Sequence, residues 1–223
     1  MAIILNLETA TTNCSVSIAK DGELIVLKED NTPGYSHAEQ LHIFIEEALV
    51  EASLTFKDID AIAVSKGPGS YTGLRIGVSA AKGLCYALDL PLISVPTLES
   101  LACQADRTEI EYIIPLLDAR RMEVYSAVFD HKGTEIRATK AEIINEESFS
   151  EYSAKGKVLL IGDGAEKCKE ILKHSNFNFL AASPSASEMS RLSNKKFKAN
   201  DFEDVAYFEP YYLKDFILQT KKS

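Results

Sequence analysis

Metal-binding pairs, redox pairs, membrane spans and an excess of bases are all absent from the sequence. The four cysteines (Cys14, Cys85, Cys103 and Cys168) form no Cys-x-x-Cys pair, so we expect buried thiols rather than a zinc knuckle or a redox dithiol. No apolar run reaches the roughly 18 residues of a membrane span, and Met1 to Ile4 leads into a strand pattern rather than a signal segment. With 33 acids, 24 bases and a net charge of −9, the chain repels polyphosphate, so contact with nucleic acid should be local or shared with a partner. We expect a cytoplasmic protein.

Residues for hydrolytic catalysis are also missing. The only histidines are at positions 37, 42, 131 and 174. His37 and His42 are five positions apart, roughly 140° around a helix, and cannot easily hold one ion. We expect each histidine to be solvated. Ser70 lacks the flanking glycines of a Gly-x-Ser-x-Gly elbow, which argues against a serine hydrolase.

The pattern of apolar residues predicts strands and helices in alternation over the first half. With 46% hydrophobic residues in 223, the chain can bury the core of one large domain or of two lobes. Period-two runs and an Asp21-Gly22 turn predict an opening antiparallel meander. A capping box of Ser36 and Glu39 predicts the start of a helix. The predicted strands are 3–7, 14–19, 23–28, 59–65 and 92–95, and the predicted helices are 37–52 and 72–88, with a third after Thr97.

The second half repeats this arrangement. A strand ends at Glu8 and a turn glycine follows at Gly22; a later strand ends at Asp118 and is followed by Gly133. This spacing indicates an internal duplication, although chance similarity is a second explanation. We place the boundary in the polar stretch 105–111, between an N-terminal lobe (1–105) and a reduced C-terminal lobe (106–223). Further elements are predicted at 158–161, from Gly164 to about His174 and at 185–197, with the apolar tail from Phe208 packing on the body.

A glycine loop joins the strand 59–65 to the helix 72–88 and reads Lys-Gly-Pro-Gly-Ser-Tyr-Thr-Gly-Leu-Arg. A strand followed by glycines and a helix can form an anion site. The loop lacks the Gly-Lys-Ser/Thr ending of a Walker loop, and Thr72 replaces the third glycine of a dinucleotide fingerprint. Close packing of the glycines is the preferred interpretation, with phosphate contact as the alternative.

The strings NLETATTNCSVSIAKDG, GPGSYTGLRIG, PLLDARRMEVY and EPYYL together resemble the TsaB/YeaZ family over nearly the whole chain. The resemblance implies an α/β, actin-like ATPase (ASKHA, ribonuclease H-like) fold of two lobes, each a β-meander plus helices. It also implies a non-catalytic partner of TsaD that acts in forming threonylcarbamoyladenosine in tRNA, with TsaE and with threonylcarbamoyl adenylate made by TsaC. It marks one motif loop: Gly67, Pro68, Gly69, Ser70, Tyr71, Thr72, Gly73 and Arg75.

The resemblance leaves several points open. It implies that the chain has no metal and no resident cofactor, and it does not decide whether the chain binds nucleotide weakly. It implies that tRNA is contacted only through the complex. The family usually has Asp at position 8; Glu8 either orients a metal and water or caps the following turn, and we prefer the cap. Arg120 and Arg121, at a turn, meet either phosphate or solvent, and we prefer solvent.

The helices 37–52 and 72–88 carry more apolar surface than one sheet needs. Small residues let helices approach closely, so the surplus suggests an interface with TsaD, or with a second copy of the chain when TsaD is absent. The expected contacts are Ile43, Val50, Ile76, Gly77, Ala80, Gly83, Leu84 and Ala87. The alternative is that the C-terminal lobe or the tail covers this sector. Competing functions are a small ATPase or kinase, for which Gly162-Asp163-Gly164 is the nearest nucleotide-binding segment, and a glycoprotease-like metalloprotease, whose ligands are missing.

Overall fold

A computed structural model describes residues 1–32 and 37–214. The strands are β1 (Ile3–Glu8), β2 (Cys14–Lys20), β3 (Glu23–Asp30), β4 (Ala61–Gly67), β5 (Leu92–Pro96), β6 (Tyr112–Asp118), β7 (Glu123–Asp130), β8 (Glu135–Ile143), β9 (Val158–Ile161) and β10 (Phe177–Leu180). The helices are α1 (His37–Glu51), α2 (Tyr71–Leu88), α3 (Thr97–Ala102), α4 (Ser150–Ser153), α5 (Ala165–Cys168) and α6 (Ala186–Lys198). The predicted cap residue Ser36 lies outside the described residues. Within those residues, no helix is both long and apolar enough to cross a bilayer.

The ten strands form two mixed five-stranded sheets of the same order. The first runs β3-β2-β1-β4-β5 and the second, written in the same sense, β8-β7-β6-β9-β10. In each, three antiparallel strands are followed by two that pair in parallel. The shared topology supports the duplication inferred from the spacing of Glu8 and Asp118, and it confirms the predicted pair of meander-based lobes.

The first sheet is covered on both faces. Alternation along β1 sends Leu5 and Leu7 toward α1 and α2, whereas Ile4 faces α6 together with Met189. The helix α6, although it belongs to the C-terminal half of the sequence, therefore packs on the N-terminal sheet. It occupies the face opposite α1 and α2.

The segment after Gly164 differs from the prediction. A helix to about His174 was expected, but α5 ends at Cys168. The chain then turns and adds β10, which pairs in parallel with β9. Apolar residues from Cys168 to Phe179 all contact the core of this lobe, so their pattern did not distinguish a long helix from a short helix followed by an edge strand.

The tail packs on the body, as predicted, as far as the structure describes it. We call residues 203–214 the strap. Glu203 bridges to Leu92 of β5, and Val205 and Phe208 pack on the first core. The Tyr211 amide donates to the Lys66 carbonyl at 2.7 Å. The predicted extension of this packing to Leu218 lies outside the described residues.

Candidate partner-binding surface

The glycine loop leads directly from β4 into α2. The Ser70 hydroxyl oxygen accepts a hydrogen bond from the Gly73 amide at 3.3 Å and caps the helix. The amide of Ser70 donates to the Ala10 carbonyl at 2.6 Å. The Gly67 amide donates to Thr97 Oγ1 at 3.1 Å. Because these amides already have intramolecular acceptors, they are not available to a phosphate.

Three glycines of this region pack against the turn between β1 and β2. An added Cβ would lie 2.4 Å from the Ala10 carbonyl oxygen at Gly69, 2.1 Å from the Thr9 carbonyl oxygen at Gly73 and 2.2 Å from Thr9 Oγ1 at Gly77. Real Cβ atoms do not approach other atoms so closely, so only glycine fits at these positions. The geometry agrees with the packing interpretation of the loop.

Glu8 caps the same turn, which is the role preferred from the sequence. Its Oε1 accepts a hydrogen bond from the Ala10 amide at 2.6 Å. Burial raises the pKa of Glu8 from 4.5 to about 7, although the hydrogen bond from Ala10 lowers it. The turn from Thr9 to Asn13 is therefore bonded to the end of β1 through Glu8 and packs against the glycines of α2.

His37 corrects one prediction from the sequence. It was expected to be solvated, but its side chain is 1% exposed and its Nε2 lies 2.7 Å from the Thr11 carbonyl oxygen. Burial lowers the pKa of this imidazole. His37 thus anchors the start of α1 to the turn that also supports α2, so one turn sets the positions of both helices. The contact between His37 and Thr11 joins residues that are far apart in the chain, so the spacing of the histidines could not reveal it.

Between α1 and α2 lies an open groove with a volume of about 600 Å³. It is lined by Ala38, His42, Arg75, Ile76, Ser79, Ala80, Gly83 and Leu84. Four of the eight residues expected at a partner interface, Ile76, Ala80, Gly83 and Leu84, lie here. At Gly83 an added Cβ would meet no atom within 4 Å. Most of the side chains that line the groove are small or apolar, and the exceptions with long polar side chains are His42 and Arg75.

The other predicted contacts divide into exposed and buried positions. Ile43 is 47% exposed and Val50 is 77% exposed, and both lie on α1; Ala87 is exposed near the end of α2. The prediction that Gly77 contacts a partner is wrong, because Gly77 is buried against Thr9 and offers no surface to a partner. The periodicity placed Gly77 beside Ile76 and Ala80 correctly, but it could not reveal that the β1–β2 turn covers that side of the helix.

Among the described residues, the strap leaves the groove between Ala80 and Gly83 uncovered and meets its lining only at Arg75, which contacts Tyr212. Lys82 Nζ donates to the carbonyl oxygens of Ala206 and Phe208 at 3.1 and 2.9 Å. Nearer the start of α2, the Tyr212 ring lies 4.8 Å from that of Tyr71. These contacts follow the Tyr71–Lys82 flank of α2, away from Ala80 and Gly83. Since α6 lies on the far face of the sheet, the described part of the C-terminal half leaves the groove open.

Metal ligands do not converge among the residues that the structure describes: they contain no group of three or more His, Cys, Asp or Glu side chains suited to a metal ion. Cys14, Cys85 and Cys168 are buried as expected, whereas Cys103 is exposed.

The sequence is similar to a known protein family and to a curated member of it. A family model described as TsaD: tRNA N6-adenosine threonylcarbamoyltransferase matches residues 34–222. The tRNA threonylcarbamoyladenosine biosynthesis protein TsaB of Escherichia coli is 30% identical over 223 residues, 95% of this chain and 94% of that protein.

Two solved structures resemble this chain in fold. A Pseudomonas aeruginosa protein, described by its similarity to the peptidase YeaZ, has a TM-score of 0.82 and 28% identity, covering 96% of this chain and 100% of that one. An ADPNP-bound dehydratase activator from Clostridium difficile matches with a TM-score of 0.50 at 11% identity, covering 90% and 96%, and shows the fold alone. The two-lobed actin-like fold is thus confirmed. The chain belongs to the TsaD family of the matching model and, within it, to the TsaB/YeaZ group.

Proposed function

We propose that this chain is a non-catalytic subunit that activates TsaD in forming threonylcarbamoyladenosine in tRNA, and that the groove between α1 and α2 is where TsaD docks. The observation that carries the proposal is this open groove, whose floor of Ala80 and Gly83 is not covered by the described C-terminal half.

The groove has the chemistry of a helix-packing interface. Small side chains on its floor let another helix approach closely, and the flanking Ile43 and Val50 extend the apolar area along α1. A stable protein interface buries about 1,200–2,000 Å² in total, so we expect the partner to pack across both α1 and α2. The rim residues His42 and Arg75 provide polar contacts at the edge.

A related lobe is the partner that best fits this surface. The chain matches the TsaD model over most of its length, so TsaD carries a lobe of the same kind, and two such lobes can pair through equivalent helices. In the absence of TsaD, a second copy of this chain would occupy the groove and give a homodimer. The active complex also includes TsaE and uses threonylcarbamoyl adenylate made by TsaC.

In this function TsaD carries out the chemistry, in the cytoplasm, and this chain holds no resident cofactor. Two features of the chain support such a role: the amides of Ser70 and Gly67 bond within the molecule, and Glu8 accepts from the Ala10 amide.

Binding to TsaD is tested with charged substitutions in the groove. Ala80→Asp and Gly83→Arg should each weaken co-purification and raise the Kd for TsaD at least about tenfold, because a charge would be buried without a partner. Gly83 meets no neighbouring atom, so its substitution should leave the thermal melt nearly unchanged. The matched control is Ile143→Arg, which places the same charge on an apolar residue, 71% exposed, in the other lobe. Unchanged binding of both groove variants would place the interface elsewhere.

Activity is tested with TsaD and TsaE, threonylcarbamoyl adenylate and tRNA, with and without this chain. We expect transfer to depend on the chain and to fall with Gly83→Arg. Transfer, ATP hydrolysis or peptide cleavage by the chain alone would overturn the non-catalytic assignment.

A further inference from the structure

The turn between β6 and β7 holds two adjacent arginines in an unfavourable backbone conformation. Arg120 has a φ of 69° and Arg121 a φ of 53°, both in the left-handed region that non-glycine residues rarely adopt. Both residues are exposed. Strain of this kind persists only where surrounding contacts impose it, so the neighbouring residues explain how the turn is held.

Three side chains brace this turn. Asp118 Oδ1 accepts hydrogen bonds from the Arg120 amide at 2.7 Å and from Lys167 Nζ at 2.5 Å. Lys167 Nζ also donates to the carbonyl oxygens of Arg121 and Glu123, at 3.0 and 2.6 Å. Asp163 Oδ1 accepts from the Asp118 amide at 2.8 Å. The backbone of the turn is therefore fixed from three sides.

Among the described residues around the turn, Lys167 and Lys214 are paired with acids, whereas the two arginines and the carboxylate of Asp163 have no ion-pair partner. Lys167 pairs with Asp118, and Lys214 pairs with Glu123. Within residues 1–32 and 37–214, the guanidinium groups of Arg120 and Arg121 make no hydrogen bond or ion pair. A braced turn thus presents two positive charges to solvent.

The duplicated lobe offers an internal comparison. The equivalent turn of the first sheet, 9–13, carries no charge and is packed beneath the glycine loop, where Gly69 and Gly73 lie against it. The corresponding loop of the second lobe, Gly162-Asp163-Gly164, packs against Leu116 near the end of β6, and the turn itself carries Arg120 and Arg121. The first copy of the turn is thus uncharged and largely buried, whereas the second exposes two arginines.

We propose that the Arg120–Arg121 turn is a binding site for the phosphate backbone of RNA, through which this chain contacts the tRNA held by the complex; the inference rests on the proposed function. Guanidinium groups bind phosphate oxygens in a planar, bidentate manner. A chain with a net charge of −9 repels RNA overall, so a contact has to be made by a local, preorganised group of bases. Fixing the turn in advance lowers the entropy lost on binding.

The test uses the assembled complex of this chain with TsaD and unmodified tRNA, with affinity measured from about 50 to 200 mM salt. The variant is Arg120→Asn/Arg121→Asn, because asparagine tolerates a positive φ and removes both charges. Losing two phosphate contacts should reduce the slope of log affinity against log salt by about 1.5 to 2, so that the wild-type complex loses about tenfold more affinity than the variant over this range. The melting temperature of the variant should be unchanged or higher.

The control is Arg191→Asn/Lys195→Asn, which removes two exposed charges from α6 and changes the net charge equally. An unchanged salt slope in the arginine variant would overturn the proposal, as would an equal reduction in the control. Loss of TsaD association without loss of RNA affinity would identify the turn as a protein contact and also overturn it. Co-purification with TsaD is measured separately, so failure of the docking proposal is distinguishable from failure of this one.

Discussion

Thr9 Oγ1 donates a hydrogen bond to the Gly73 carbonyl oxygen at 2.8 Å, and the same hydroxyl lies where a Cβ on Gly77 would be, 2.2 Å away. One side chain of the β1–β2 turn thus fixes two successive turns of α2 on the sheet. The adjacent groove depends on this contact, because it fixes the position of α2 relative to the turn that also anchors α1.

Gly77→Ala should destabilise the fold by about 1–3 kcal/mol, because its Cβ would overlap Thr9 Oγ1. Gly83→Ala, on the same helix, meets no atom and should be neutral or stabilise by up to about 1 kcal/mol through helix propensity. Denaturant unfolding measures both. Adding Thr9→Ala should recover part of the loss in Gly77→Ala; strict additivity of the two changes would contradict the proposed contact.

Glu8 should make stability depend on pH. Its pKa is raised from 4.5 to about 7 in the folded protein by burial, so the folded state binds more protons than the unfolded state between these values. The stabilisation is complete below about pH 4.5 and is lost as pH rises to about 7, with a total on the order of a few kcal/mol.

The check is a comparison with Glu8→Gln, which keeps an oxygen to accept from the Ala10 amide but does not titrate. Its free energy of unfolding relative to wild type should rise across this pH window. His37, whose pKa is lowered by burial, is present in both proteins and cancels from the difference. A difference that is independent of pH would show that Glu8 does not titrate there.

Lys82→Met should loosen the strap without affecting the groove. The change retains the apolar stem but removes the donor to the carbonyl oxygens of Ala206 and Phe208. Hydrogen exchange should become faster at the Tyr211 amide, which bonds to the Lys66 carbonyl. Affinity for TsaD should stay within about twofold, since a larger loss would mean that the strap forms part of the interface.

Cys103 should be the first thiol to react with an aromatic disulfide reagent in the folded protein. The other three cysteines are buried, and burial raises the pKa of Cys14 and Cys168 to about 11 and of Cys85 to about 12. Desolvation raises the pKa of the Cys103 thiol as well, so its exposure to the reagent is what distinguishes it. We expect one fast-reacting thiol and its disappearance in Cys103→Ser. Fast reaction of a second thiol in the native protein would show that one of the buried sites opens.

Local sequence patterns were sufficient to predict most of the strands and helices. The strands that end at Glu8 and Asp118, the helix pair and the tight turn before Tyr71 were predictable because each depends on neighbours in the chain: period-two or period-3.6 burial, turn glycines and caps. The surplus apolar sector on α2 followed from the same periodicity. The duplication was visible as spacing alone, before the two sheets showed the same strand order.

Tertiary contacts decided what could not be read locally. The sequence pattern places Gly77 and Gly83 in one sector of small and apolar residues on α2, yet Gly77 is buried by the β1–β2 turn and Gly83 is open. His37 is buried because that turn also reaches α1, and Cys103 is exposed although its residue type favours burial. Among the residues that the structure describes, α6 and the strap pack elsewhere and leave the groove open. The amino-acid pattern by itself determined which surfaces are apolar, because that depends on side-chain type and period, whereas only the packing of distant segments determined which of those surfaces remain uncovered.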